Sequence, residues 1–156
     1  MIDGIDKDIL TIIQSNARVS NVEIARKVKM APSAILERLR KLESKGIILG
    51  YEAKISPKSL GLGLLAFIFV KADDRIGEPE TGARLAEIPE VLEVHHIAGE
   101  DCFLVKVRTA DTEALGRLLR ERFGAIATIR STRTTIAMST IKETTQLPLE
   151  LEWSQP

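Results

Sequence analysis

Between Pro32 and Gly46 the chain carries Arg38, Arg40, Lys41 and Lys45, preceded by the small residues Ser33 and Ala34. Cationic side chains of this length reach phosphates or guanine acceptors, and small residues near a helix start let its backbone approach base edges. The same segment also describes a solvated amphipathic helix whose cations pair with Glu37 and Glu43. Gly61-Leu62-Gly63-Leu64-Leu65-Ala66 fits the G-x-G-x-x-A pattern of dinucleotide loops. That mechanism needs a strand before the glycines and a helix after them, whereas a strand-like apolar run follows here, so they read as a hinge. His95, His96 and Cys102 are the softest metal ligands in the chain. Adjacent strand residues point to opposite faces, so the two histidines cannot readily share one ion, and no metal site is expected. Cys102 has no neighbouring base and reads as a packing residue rather than a nucleophile. Neither a catalytic residue nor a cofactor is expected.

The elements that must position the cationic segment are short helices. Ile5, Ile9, Ile12 and Ile13, with Leu10, recur at three- and four-residue steps and predict a helix over 4–16 with acids at its positive end. Ser20-Asn21-Val22-Glu23 has the form of a capping box and opens a second helix carrying Val22, Ala25 and Val28. Pro32 marks the first turn of a third helix, and Gly46 is placed to close it in the left-handed conformation. Ile35, Leu39 and Leu42 fall on one of its faces, while Ser33, Ala34, Glu37, Arg38 and Lys41 fall on the other, with Arg40 at the flank. Three helices with a short connection around Lys29-Met30-Ala31 match a helix-turn-helix, whose last helix enters the major groove by its N-terminal half.

The 156 residues balance 22 basic against 22 acidic side chains, so any affinity for a polyanion must come from uneven distribution. The distribution is uneven: residues 1–50 carry +3, 51–63 carry +1 and 64–156 carry −4. The Pro, Ser and Gly punctuation of Ser56-Pro57-Lys58-Ser59-Leu60-Gly61-Leu62-Gly63 marks a connector. The expected organisation is therefore a helical domain over 1–50, a linker over 51–63, and a second domain with a C-terminal tail over 64–156. A single cysteine excludes an internal disulfide framework. The start of the chain is acidic rather than basic, and no apolar run approaches the roughly 20 residues that span a bilayer, so a cytoplasmic protein is expected.

Residues 64–141 alternate strand-like and helix-like stretches. Leu64–Val70 is an apolar run of strand length, and Thr81–Ile88 reads as a helix ended by Pro89. Val91–Ala98 and Cys102–Thr109 read as strands joined through Gly99-Glu100-Asp101, with Phe103, Val105 and Val107 on one face and Lys106 and Arg108 on the other. Asp111-Thr112-Glu113 opens a helix with a stripe of Leu115, Leu118, Leu119 and Phe123 that Gly124 ends, and Ile126–Ile141 is Thr- and Ile-rich β sequence. The order βαββαβ is ferredoxin-like, which makes the whole chain α+β. Helices cover one face of such a sheet; the other, if apolar, must be covered by something else. Trp153 and the tail from Gln146 to Glu152 either cap a neighbouring subunit or fray.

Three N-terminal blocks carry a family resemblance: Asp6-Lys7-Asp8-Ile9-Leu10, Val19-Ser20-Asn21-Val22-Glu23-Ile24-Ala25, and the run from Ala31 to Tyr51. They resemble the DNA-binding half of the Lrp/AsnC, or feast/famine, regulators. The blocks Ala98–Val107 and Thr134–Glu143 resemble the ligand-sensing half of the same family. The resemblance implies a winged helix-turn-helix followed by a ferredoxin-like domain. It further implies a transcriptional regulator that binds a palindromic operator as a homodimer, extending in some members to tetramers or octamers. Two recognition helices would then meet successive major grooves roughly 34 Å apart. On the helix-turn-helix reading of the third helix, the expected DNA-binding residues are Ser33, Ala34, Glu37, Arg38, Arg40 and Lys41.

The family commonly binds an amino acid or related metabolite near the loop between the second and third strands. Gly99 is the matching glycine, allowing backbone amides to face a ligand carboxylate. Many relatives have an aspartate directly before the phenylalanine, where this chain has Cys102. A neutral thiol cannot pair with an ammonium group, so Glu100 or Asp101 substitutes or the ligand differs. Thr132 and Thr134 offer hydroxyls on one parity of the last strand and complete the expected effector set. The rival reading of the residues is a metabolite-binding ferredoxin-like enzyme, or enzyme subunit, with an accessory helical domain; it predicts turnover and indifference to DNA.

Overall fold

Each helix of the N-terminal unit begins at a residue whose chemistry selects that start. The Asp6 amide donates to Asp3 Oδ1 at 2.8 Å and the Asp3 amide to Asp6 Oδ2 at 3.2 Å, a reciprocal cap that opens α1 (Gly4–Ser15). Ser20 and Glu23 exchange the same pair of bonds at the start of α2 (Asn21–Val28). Lys29 then takes the left-handed conformation at φ 55, and α3 (Pro32–Ser44) begins with proline in its first turn. Gly46, at φ 66, lets the Ile47 amide turn back to the Leu42 carbonyl at 2.9 Å and end α3. The computed structural model describes residues 2–74 and 80–149. Among them no strand follows α3 before residue 64, and no helix is long and apolar enough to cross a membrane.

The three helices close over Ile9, Leu10, Ile24, Ala25, Ile35, Leu39, Leu42 and Ile48. The α1 and α3 stripes are those the spacing predicts. On α2 the expected stripe is shifted: Ile24 and Ala25 are buried, whereas Val22 is 59% exposed. Its direction is set by where α1 and α3 lie, and the i, i+3, i+6 pattern of so short a helix does not fix that.

The second unit is a four-stranded antiparallel sheet ordered β2-β3-β1-β4, from β1 (Leu64–Ala72), β2 (Val91–His96), β3 (Phe103–Thr109) and β4 (Ile129–Ile136). The helices α4 (Glu80–Ala86) and α5 (Thr112–Leu118) complete the ferredoxin-like βαββαβ order. Ala66, Ile68, Val70, Phe103, Val105 and Val107 form the sheet's share of the core with Leu85, Leu115, Leu118 and Phe123. Two sequence expectations are corrected here. The last helix changes to a wider π turn over Leu119–Phe123, where the Gly124 amide donates to Leu119 O. Gly124 ends the helix as expected, at φ −63; a Cβ there would lie 2.4 Å from Arg120 O, so close backbone approach is what requires glycine. The last strand is also shorter than 126–141, because Ile126 is drawn into the core and pairing with β1 stops at Ile136.

Contacts divide the chain differently from the expected domains. The inner unit runs Ile55–Ile141, and the tail from Lys142 groups with the N-terminal helices rather than with the sheet. Gln14 pairs its side-chain amide with the Leu147 backbone in both directions, at 2.7 and 3.2 Å, and Gln146 Nε2 donates to Gln14 O at 2.9 Å. Leu149 packs on the helical core. Trp153 lies outside the described residues. Within the inner unit Pro57–Leu62 forms a hydrogen-bonded turn around a 3-10 segment, with Gly61 at φ 75, and β1 follows at once.

Candidate functional site

Helix α3 presents Ser33, Glu37, Arg40, Lys41 and Ser44 to solvent, while Ile35, Leu39 and Leu42 anchor its other side. Ala34 is half-buried beside them. No side chain caps the start of α3 and its first turn holds no acid, so the positive end of the helix is not neutralised from within. The cations and small residues expected to meet DNA are therefore on one surface, with one exception.

Arg38 is engaged inside the unit. Its Nη1 donates to Asp3 Oδ2 at 2.8 Å and to Asp6 Oδ1 at 2.6 Å, and its side chain is only 28% exposed. The capping carboxylates of α1 thus hold the middle of α3. The Asp6 amide first, and then Arg38, keep the Asp3 carboxyl below its ordinary value. Asp3 and Asp6 in turn raise the guanidinium further above its own. Sequence reading put Arg38 among the DNA contacts because its cation lies on the correct side of the helix. The partners that claim it come from a different helix.

A second tie fixes the far end of α3. The Tyr51 hydroxyl donates to Glu43 Oε1 at 2.9 Å, and burial, followed by Glu43, pushes the phenol up to about 12.

On the sheet, Gly99, Glu100, Asp101 and Cys102 lie together in the β2–β3 connection. Gly99 adopts φ 137, a conformation that suits glycine, and Glu100 is exposed. The other expected effector residues are not gathered around them. The Cys102 thiol is turned to β1, donating to Ala72 O at 3.3 Å. Thr132 and Thr134 pair with Val70 and Ile68, so they share the core face of the sheet. Arg133, between them, points the other way: its Nη2 donates to Asp101 Oδ2 at 2.9 Å, and its guanidinium lies 4.1 Å from the Phe69 ring centroid. Sequence reading missed Arg133. Its strand parity was legible, but the register that sets it beside Asp101 was not.

The rest of that open face mixes Phe67, Phe69 and Leu104 with Lys106, Glu93 and His95. Glu93 accepts from Lys106 Nζ at 3.0 Å and lies 3.2 Å from His95 Nε2; Lys106 first, and then His95, lower its pKa. His96 instead stacks on Phe103 on the core side. Among the described residues no group of His, Cys, Asp and Glu is arranged to hold a metal ion.

Comparison with known proteins matches residues 2–48 to a winged helix-turn-helix DNA-binding model and residues 65–147 to the Lrp/AsnC ligand binding domain. The chain belongs to the Lrp/AsnC family. It is 39% identical over 150 residues to the HTH-type transcriptional regulator FL11 of Pyrococcus horikoshii, covering 96% of this chain and 97% of that one. It is 32% identical over 153 residues to the leucine-responsive regulatory protein of Escherichia coli K12, covering 96% and 92%. Among solved structures, a transcriptional regulator of Neisseria meningitidis in complex with L-Met superimposes with a TM-score of 0.90 at 32% identity, covering 96% and 98%. A feast or famine regulatory protein of Mycobacterium tuberculosis complexed with L-methionine gives 0.87 at 33%, covering 94% and 99%. The resemblance read from the sequence blocks is borne out over both halves. This Lrp/AsnC chain is a helix-turn-helix transcriptional regulator, and the ligand-binding match runs beyond β4 into the tail that docks on α1.

Proposed function

We propose that the chain is a sequence-specific, DNA-binding transcriptional regulator acting in the cytoplasm as a homodimer or larger homo-oligomer, with an amino acid or related metabolite shifting its assembly. The observation that carries this reading is the exposed stripe of α3, where Arg40 and Lys41 stand beside the small Ser33 and Ala34 on a helix-turn-helix. In this reading Ser33, Ala34, Glu37, Arg40 and Lys41 meet the duplex, and Arg38 holds the helix that presents them. The half-apolar open face of the sheet is the surface a second copy would cover, and pairing brings two reading helices to one operator. The effector region is the Gly99–Asp101 turn with Arg133 across from it. There an acid and a guanidinium provide the two charges that an amino acid's ammonium and carboxylate would need. The L-methionine complexes of two relatives support that ligand class and make methionine the first compound to test. No catalytic step is assigned. An effector moves DNA affinity only as far as its own affinities for the two assemblies differ.

The test is binding to a promoter fragment across a salt series. Each phosphate neutralised should contribute a slope of about −0.9 in log affinity against log salt. A steep linear fall supports the proposal; no retention, or a flat response, rejects it. Calorimetric titration with methionine and the other common amino acids tests the sensing half, and silence across all of them would reduce the Gly99 loop to a turn.

A further inference from the structure

Glu37 is the one carboxylate on the exposed stripe of α3 that also carries Arg40 and Lys41. The other acid of α3, Glu43, accepts from the Tyr51 hydroxyl. Glu37 has no hydrogen bond or ion pair among the described residues, with Lys41 one turn along the helix included. The guanidinium that shares a surface depression with it, Arg38, is already engaged by Asp3 and Asp6. In water such a carboxylate is simply solvated. Against a duplex it loses that water and faces phosphates, and both changes are unfavourable unless a base donor replaces the lost hydrogen bonds.

The base edges of the major groove offer only two such donors, the exocyclic amino groups of cytosine and adenine. Adenine N6 sits beside N7, whose lone pair repels a carboxylate oxygen. Cytosine N4 sits beside a C–H. The guanine of the same pair adds two acceptors suited to a neighbouring cation such as Arg40 or Lys41. Resting on the reading of α3 as the groove-facing helix, we propose that Glu37 determines specificity by accepting a hydrogen bond from cytosine N4 of one C·G pair in each operator half-site. Glu37 stands one turn after Ser33, still in the N-terminal half of the helix that enters the groove, and small Ala34 beside it leaves room for close approach.

The experiment offers the full chain a library of random duplexes and sequences the bound fraction for the wild type, Glu37→Ala and Glu37→Gln. Affinities for the selected site and for a scrambled duplex are then measured at one salt concentration. The wild type should enrich C·G at one position per half-site. Glu37→Ala should lose that preference by about tenfold or more. Glu37→Gln, able both to donate and to accept, should move the preference toward A·T. Both variants should bind the scrambled duplex more tightly, because a negative charge has left the surface; that gain also shows that they are folded. If Glu37→Ala instead selects the wild-type sequence and gains equally on both duplexes, Glu37 is a solvated bystander and the inference is overturned, while the DNA-binding reading stands. A wild type that enriches no sequence overturns both.

Discussion

Replacing Arg38 with alanine separates a DNA contact from an internal clamp. The guanidinium lies 2.8 Å from Asp3 Oδ2 and 2.6 Å from Asp6 Oδ1, and the Asp6 side chain is only 13% exposed. Exposed ion pairs contribute about 0–1 kcal/mol, whereas breaking a buried one costs about 3–5 kcal/mol. With Arg38 28% exposed, the Arg38–Asp6 pair falls nearer the first case, about 1–2 kcal/mol. For a unit of this size that lowers the unfolding midpoint by roughly 5–15 °C. The assay is a thermal double-mutant cycle of Arg38→Ala and Asp6→Ala followed by circular dichroism, with a coupling of about 1 kcal/mol expected. The salt series supplies the opposing readout. A residue that neutralises a phosphate takes about 0.9 from the slope when removed. Arg40→Ala should show that loss and Arg38→Ala should not. An Arg38→Ala variant with an unchanged midpoint and a slope reduced by a full phosphate would refute the clamp, because it would mean the guanidinium leaves the aspartates for DNA.

The chain has a single tyrosine, so phenolate absorbance reports Tyr51 alone, and its midpoint should be about 12 rather than 10. Because the folded value is raised, this group's stabilisation is complete below pH 10 and fades as pH climbs toward 12; a midpoint near 10 would show the phenol free of Glu43. At the acid end, Asp3 and Glu23 have folded values below their ordinary 3.8 and 4.5. Their contribution is therefore present above those ordinary values and lost as pH falls through the depressed ones. Helical-unit melts from about pH 5 to about pH 2 should show that loss, and an Asp3→Asn, Glu23→Gln double variant should flatten it; identical curves would exclude these caps as the cause. Gln14→Ala removes both bonds to the Leu147 backbone, so limited proteolysis within 142–149 should accelerate. An unchanged cleavage rate would mean that Leu149 packing and the Gln146 bond to the Gln14 backbone carbonyl, which the substitution leaves in place, suffice to retain the tail.

What could be read without a structure was whatever is decided within one turn or one strand. The Ser20–Glu23 cap, Pro32 at the first turn, the left-handed Gly46 and the core stripes of α1 and α3 are local matters of hydrogen-bond geometry and period, and residues three or four apart express them. The alternation that puts Phe103, Val105 and Val107 opposite Lys106 and Arg108 is local in the same sense, since it follows from the pleat of one strand. The family blocks added the order of the two halves. What side chains finally touch was decided elsewhere. Arg38 meets aspartates 32 and 35 residues away, Arg133 meets Asp101 across 32, and Gln14 meets Leu147 across 133. Arg38 and Glu37 are neighbours on one helix and both looked like reading residues, yet the packing of α1 against α3 engages the first and leaves the second free of partners within the described chain. Charge and spacing determined which residues could bind; only the closing of distant segments onto one another decided which of them were still available, because a side chain's nearest partner is a property of the packed chain and not of its own helix.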